Sequence, residues 1–175
     1  MTNIAFHVHG IPKAQQRPRA FARVVGGGKA VARVYDAGTA EAWKGDVIRC
    51  GAPHRPLSPL EQPLEIAITF FLPRPKRLLR KRDPDGPIWH TNAPDGDNLY
   101  KAVTDALKTD GWFRDDSQIV RHTVCKLYAS KMGSPGARIE IRDVGGEELA
   151  GGGGSRYHEN GQVSTGILTD GTQAT

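Results

Sequence analysis

The clearest periodicity in the chain lies at Leu99, Ala102, Val103, Ala106 and Leu107, apolar positions spaced i, i+3, i+4, i+7 and i+8. One stripe on a 3.6-residue repeat predicts an amphipathic helix from about residue 97 to 109. Asp95 and Asp97 stand where an N-cap and a first turn favour carboxylates, and Gly111 supplies the residue that commonly ends a helix. Runs rich in β-branched and aromatic residues predict strands over Ile4–His9, Ala30–Tyr35 and Leu64–Leu72, and near 118–129 and 136–142. A further helix is expected over Thr39–Cys50, with Trp43 and Val47 turned toward a sheet. A basic loop follows the first strand. Gly26-Gly27-Gly28 reads as a hairpin tip, because no helix and no G-K-[ST] follows it. A Pro-rich linker precedes Leu64, and a second basic loop follows Leu72. This order predicts an α+β fold: a single domain, a mixed β-sheet with packed helices.

From Asp143 the composition changes to Gly-Gly-Glu-Glu, then Gly-Gly-Gly-Gly-Ser, with scarcely any large apolar residue. A folded domain over 1–143 and a disordered Gly-rich tail over 144–175 are therefore expected. Within that tail Glu147, Glu148, Glu159 and Asp170 outnumber Arg156. A passive tail is the plainer expectation; one that competes with phosphate at a basic surface is the alternative.

Charge sharpens the picture. The 175 residues carry a net charge of +5, which suits a polyanionic partner. Residues 1–92 hold 15 Lys and Arg against 7 Asp and Glu, a net of +8, whereas residues 93–175 hold 9 against 12, a net of −3. Basic segments thus flank an acidic centre. The densest cluster is Arg74, Lys76, Arg77, Arg80, Lys81 and Arg82. A looser group comprises Arg17, Arg19, Arg23 and Arg33. Each is either a phosphate-contacting surface or an ordinary solvated segment. Cys50 and Cys125 have no C-x-x-C neighbour and read as small apolar residues rather than a disulfide framework. His90 reads as an exposed loop histidine. No run approaches the ~20 apolar residues of a membrane span, and no signal-peptide segment opens the chain, so a cytoplasmic protein is expected.

The chemistry concentrates around the central helix. Asp97, Lys101 and Lys108 project roughly opposite the apolar stripe, and Asp97–Lys101 and Lys101–Asp105 are i, i+4 pairs. Ordinary surface ion pairs explain them minimally. Asp115-Asp116, at the start of the following strand, add two more carboxylates. Several carboxylates gathered together repel one another unless a cation neutralises them, and oxygen ligands alone favour Mg²⁺ or Mn²⁺ over zinc. Whether turn and register return Asp116 to Asp95 and Asp97 is a matter of geometry. Such a site suits phosphodiester hydrolysis, with Lys101 offsetting charge that grows on the phosphate. Asp95-Gly96-Asp97 is not an EF-hand loop, since Leu99 occupies the third ligand position, and a bare D-x-D is too common to mark a glycosyltransferase.

The stretch D-x-D-N-L-x-K-A-x-x-D-A-L followed by G-x-x-x-D-D-S-Q-I resembles the RusA family of Holliday junction resolvases. Gly10-Ile11-Pro12-Lys13 with Arg17-Pro18-Arg19 is similar to that family's opening, so the likeness runs from about residue 4 to 142. The resemblance implies a Mg²⁺-dependent homodimer that nicks four-way DNA junctions symmetrically in recombination and repair, in a bacterial cell and commonly phage- or prophage-encoded. It implies metal-binding carboxylates at Asp95, Asp97 and Asp116, a catalytic Lys101, and supporting roles for Asn98 and Asp105; Asp115, beside the third carboxylate, either assists or, as the plainer expectation, is a turn aspartate. Lys13, Arg17 and Arg19 join the 74–82 cluster as DNA-binding candidates. The long basic segment 73–94 and the Gly-rich extension depart from the family pattern. A nuclease for other branched DNA and a non-catalytic DNA-binding module remain the alternatives. Nothing in the sequence identifies the dimer interface; Ile66–Leu72, as an edge strand, and the face of the first helix are two candidates.

Overall fold

The computed structural model describes residues 3–16, 19–25, 29–35 and 40–145, the stretches 19–25 and 29–35 as backbone only. The elements in chain order are β1 (Asn3–His9), β2 (Arg19–Val25), β3 (Lys29–Tyr35), α1 (Glu41–Gly51), β4 (Leu64–Leu72), β5 (Ile88–Trp89), α2 (Gly96–Thr109), β6 (Ile119–Tyr128) and β7 (Gly136–Asp143). Five strands form one sheet in the order β1-β7-β4-β6-β5. The β4–β6 pair is parallel and the other pairs are antiparallel, so the sheet is mixed and the fold is α+β. Residues up to Gly145 make one compact unit. Val144 is buried and donates its N–H to the Pro63 carbonyl, so ordered packing continues past β7. The expected tail lies outside the described residues from 146 onward.

Burial decides the layering. Leu64, Ile66, Ile68, Phe70 and Leu72 of β4 are all buried, while the alternate residues Glu65, Ala67, Thr69 and Phe71 are half-buried. The inward row packs in one core with Trp43 and Val47 of α1, with Leu99, Ala102, Val103, Ala106 and Leu107 of α2, and with Phe6, Trp112, Ile139 and Ile141. The expected orientation of Trp43 and Val47 is the observed one. The expectation of Ile66–Leu72 as an edge is overturned: β4 lies between β7 and β6, at the sheet's centre. A near-continuous apolar run is what a strand flanked on both sides carries.

Two strands differ from the pattern reading. Arg19–Val25 is a strand paired antiparallel with β3 in its own two-stranded sheet, not part of a basic loop. Its alternation is carried by alanine and valine between arginines, a weak signal beside the charge. The tip, Gly26-Gly27-Gly28, lies outside the described residues. Within the long basic segment, Ile88–Trp89 adds a two-residue strand against Tyr128 and Leu127.

Parallel strands cannot be joined by a hairpin, so the chain must cross over between β4 and β6. That crossover holds the basic loop, β5 and α2. α2 ends in a Schellman motif: Gly111 has φ +78°, its N–H donates to the Lys108 carbonyl at 3.0 Å, and the Trp112 N–H donates to the Leu107 carbonyl at 3.1 Å. The reversal drops Trp112 and Phe113 into the core and turns the chain toward β6.

At the start of β7, Gly136 faces His9 of β1 and Phe71 of β4. A Cβ there would run into the backbone carbonyl of Val8. Gly136→Ala is expected to destabilise the fold by about 1–3 kcal/mol through this overpacking. A urea midpoint unchanged from wild type would show that β1 yields without cost.

Candidate active site

The N-terminus of α2 is built against β6. Asp95 occupies the N-cap position with extended backbone, its carbonyl accepting from the Leu99 N–H, although its carboxylate makes no capping bond. Gly96 follows, and a Cβ there would meet Val124 Cγ1 at 3.3 Å, so a small residue lets the helix start close to the strand. Asp97 stands in the first turn, where the helix dipole favours an anion. Asn98 accepts the Gln15 N–H at 3.0 Å through its carbonyl, which seats the segment bearing the exposed Lys13 against this turn.

A further cation fastens the approach to Asp95. Lys126 of β6 donates Nζ bonds to the carbonyls of Asn92 at 2.9 Å and Pro94 at 2.7 Å. Nothing in the sequence around Lys126 marks it, since the contact spans 32 residues or more. If the family chemistry suggested by the sequence operates here, Lys126→Met is expected to lower the turnover of that reaction about 10–100-fold with substrate binding little changed, as loss of a supporting partner does. Lys126→Arg should recover part of that rate. Equal kcat in the Met variant and wild type would reduce Lys126 to a surface residue.

At the other end of α2 the turn before β6 is fixed by side chains. Asp115 caps a 3₁₀ turn over Asp116–Gln118: its carboxylate accepts the Ser117 N–H at 3.0 Å, and Gln118 Oε1 accepts the Asp115 N–H at 3.0 Å. Gln118 Nε2 also donates to the Leu60 carbonyl at 2.9 Å. Most of the D-D-S-Q motif therefore shapes the turn that presents Asp116. Lys108 Nζ lies 2.8 Å from Asp115 Oδ2 and 3.5 Å from Asp116 Oδ1. The Lys108 ammonium, followed by the Ser117 N–H, holds the Asp115 carboxyl well below the usual carboxylate range.

Two clefts open along the polar side of α2, and they share Tyr100 and His122. The first, of about 820 Å³, has Asp97 in its wall with Trp89, His90, Val124 and Lys126. The second, of about 290 Å³, is lined by Lys101, Thr104, Asp116 and Ile119 together with the shared pair. The structure thus brings Lys101 and Asp116 into one cleft and places Asp97 in its neighbour; Asp95 lines neither. The crossover explains this placement. The helix descends past β6 and the chain returns at the strand's beginning, so Asp116 lies beside the second and third turns. The seven steps from Asp97 to Thr104 cover about 10 Å of helix axis.

Among the described residues no three Asp, Glu, His or Cys side chains stand together in a way that could hold one metal ion. The donor chemistry nonetheless fits a hard divalent cation. Mg²⁺ is usually held by one or two carboxylates, with water and substrate phosphate completing its shell, so no closed protein cage is required.

Lys101 Nζ pairs with Asp105 at 3.2 Å on the exposed side of the helix. Tyr100 has its phenol pushed up to about 12, first by burial and then by the Asp116 charge. Its hydroxyl is buried without a hydrogen-bond partner among the described residues. His90 is buried rather than exposed, against expectation, because its ring packs on Tyr128 with centroids 4.4 Å apart. Burial, followed by the Lys126 charge, lowers its pKa. Tyr100, His122, Trp89 and Lys126 join the site only through tertiary packing; the nearest sequence signal was Tyr100, three residues after Asp97.

Of the basic cluster, Lys76, Arg77, Arg80, Lys81 and Arg82 are exposed. Arg74 is half-buried and ties the loop, donating to the carbonyls of Pro84 at 2.8 Å and Gly86 at 3.0 Å. Arg17 lies outside the described residues, and Arg19 is the first residue of β2. No helix among the described residues is long and apolar enough to cross a membrane. A family model described as Endodeoxyribonuclease RusA matches residues 9–142, a span that contains both clefts. No curated protein matches the chain.

Proposed function

The chain belongs to the RusA endodeoxyribonuclease family, and from that premise we propose that it is a divalent-metal-dependent endonuclease that resolves four-way DNA junctions by paired symmetric nicks in recombination and repair. The observation that carries this reading is the pair of clefts along α2. One presents Asp97 and the other presents Asp116 with Lys101, and Tyr100 and His122 line both.

One or two of the carboxylates of Asp95, Asp97 and Asp116 would hold Mg²⁺ or Mn²⁺, with water and substrate phosphate completing the shell. When bound, such an ion supplies Lewis acidity toward a phosphoryl oxygen and a water acidic enough to attack at neutral pH. The protein's own groups do the rest. The N–H groups and dipole at the start of α2 orient an anionic phosphate at Asp97. The Lys101 ammonium, one turn further on, offsets charge that develops on the phosphate. The exposed cations of 76–82 and Lys13 grip the DNA backbone without reading sequence. Two copies related by a two-fold axis supply the two nicks that a junction requires. Such an enzyme works where bacterial or phage DNA is, in the cytoplasm.

A supercoiled plasmid with an extruded cruciform tests the pairing. Both strands cut within one complex yield linear DNA directly. Accumulation of nicked circles ahead of any linear product would contradict paired cleavage and favour a nuclease for other branches.

A further inference from the structure

The cleft that contains Asp97 differs in chemistry from the carboxylates beside it. Four of its ten described lining residues carry aromatic rings, Trp89, His90, Tyr100 and His122, and Val124 adds an apolar side chain. Trp89 is 72% exposed, because β5 is only two residues long and nothing among the described residues covers its indole. A single exposed ring is ordinary on a protein surface, but this one lines the cleft that also holds Asp97, so it adds an aromatic face to the candidate site. Tyr100 and His122, with centroids 4.8 Å apart at 30°, offer a second π surface.

The cleft's polar groups are unsuited to a further phosphate. The Lys126 ammonium is tied to the Asn92 and Pro94 carbonyls, so this cation in its wall is already engaged, and the phosphate of the scissile bond belongs at the Asp97 end. The lowered pKa of His90 keeps its ring neutral at neutral pH. A volume of about 820 Å³ lies within the range of about 300–1,000 Å³ common to small-molecule sites. A planar, uncharged heterocycle matches such walls, and a DNA strand carries one beside every phosphate.

Resting on the nuclease reading, we propose that this cleft receives a nucleobase unstacked from the strand being cut, with Trp89 as its stacking platform. Trp89 stands between the cationic loop 76–82 and the helix bearing Asp97, so one stretch of chain grips the backbone, takes the base and presents the carboxylate. Unstacking costs least where the helix is already interrupted, so this cleft favours a branch point over continuous duplex.

The test uses the full-length protein without divalent metal, bound to four-way junctions that carry 2-aminopurine at single positions around the crossover. Binding is expected to change the emission at one position next to the nick site. Trp89→Ala should abolish that change and weaken junction binding about five- to hundredfold, the range for losing one base–aromatic stack. Trp89→Phe should keep most of both. If no position responds, or if Trp89→Ala responds and binds as wild type, the base-binding cleft is wrong. Cleavage of the same junction by wild type with Mg²⁺ would then leave the nuclease reading standing, and its absence would remove both.

Discussion

Asp97→Asn and Asp116→Asn, made singly, are expected to lower single-turnover cleavage of a four-way junction by at least about 10²–10³-fold, the loss typical when one preorganised electrostatic contact is removed. Junction affinity should stay within about threefold of wild type, since binding to DNA rests mainly on backbone cations. Asparagine keeps the size of the side chain while removing its charge, so the fold should be undisturbed. Asp97 lies in the first turn of α2 and Asp116 in the turn before β6, and neither is in the core. The two positions make the comparison sharp, because they belong to different clefts. Equal losses at both would mean that one reaction uses both carboxylates. A large loss at Asp97 with none at Asp116 would confine the chemistry to the first cleft.

Lys101→Ala is expected to reduce kcat by about 10²-fold or more while leaving Mn²⁺ affinity, read by titration calorimetry, close to wild type. In the free protein Lys101 Nζ pairs with Asp105 at 3.2 Å, on an exposed helix face where such a pair contributes only about 0.3–0.5 kcal/mol. That contact is weak enough for a phosphate to displace. Because Lys101 shares a cleft with Asp116, a purely structural lysine would show itself by a changed melting temperature with kcat preserved. Normal turnover in the variant would remove Lys101 from the mechanism.

What pattern could and could not convey follows from the range of each signal. α2 was legible almost to the residue because its stripe, its first-turn carboxylates and the φ +78° glycine at its end are all local. β4 was legible as a strand, but its place at the centre of the sheet depends on partners more than 45 residues away in sequence, Ile119–Tyr128 and Gly136–Asp143. β2 and β5 were hidden, the first by its arginines and the second by its length of two residues. The carboxylates were visible as types and spacings. Their division between two clefts was not, because it follows from a crossover helix that returns the chain to the beginning of β6. His90 illustrates the same limit: it has no periodic context, and only its packing on Tyr128 makes it buried.

The central claim is metal-dependent cleavage directed by branch structure. It is tested most directly by incubating the protein with an end-labelled immobile four-way junction beside a linear duplex of the same sequence, with and without Mg²⁺. The account predicts Mg²⁺-dependent nicks on two symmetry-related strands of the junction, with the duplex intact. Cutting of the duplex at a comparable rate, or tight junction binding with no cutting in either Mg²⁺ or Mn²⁺, would contradict it.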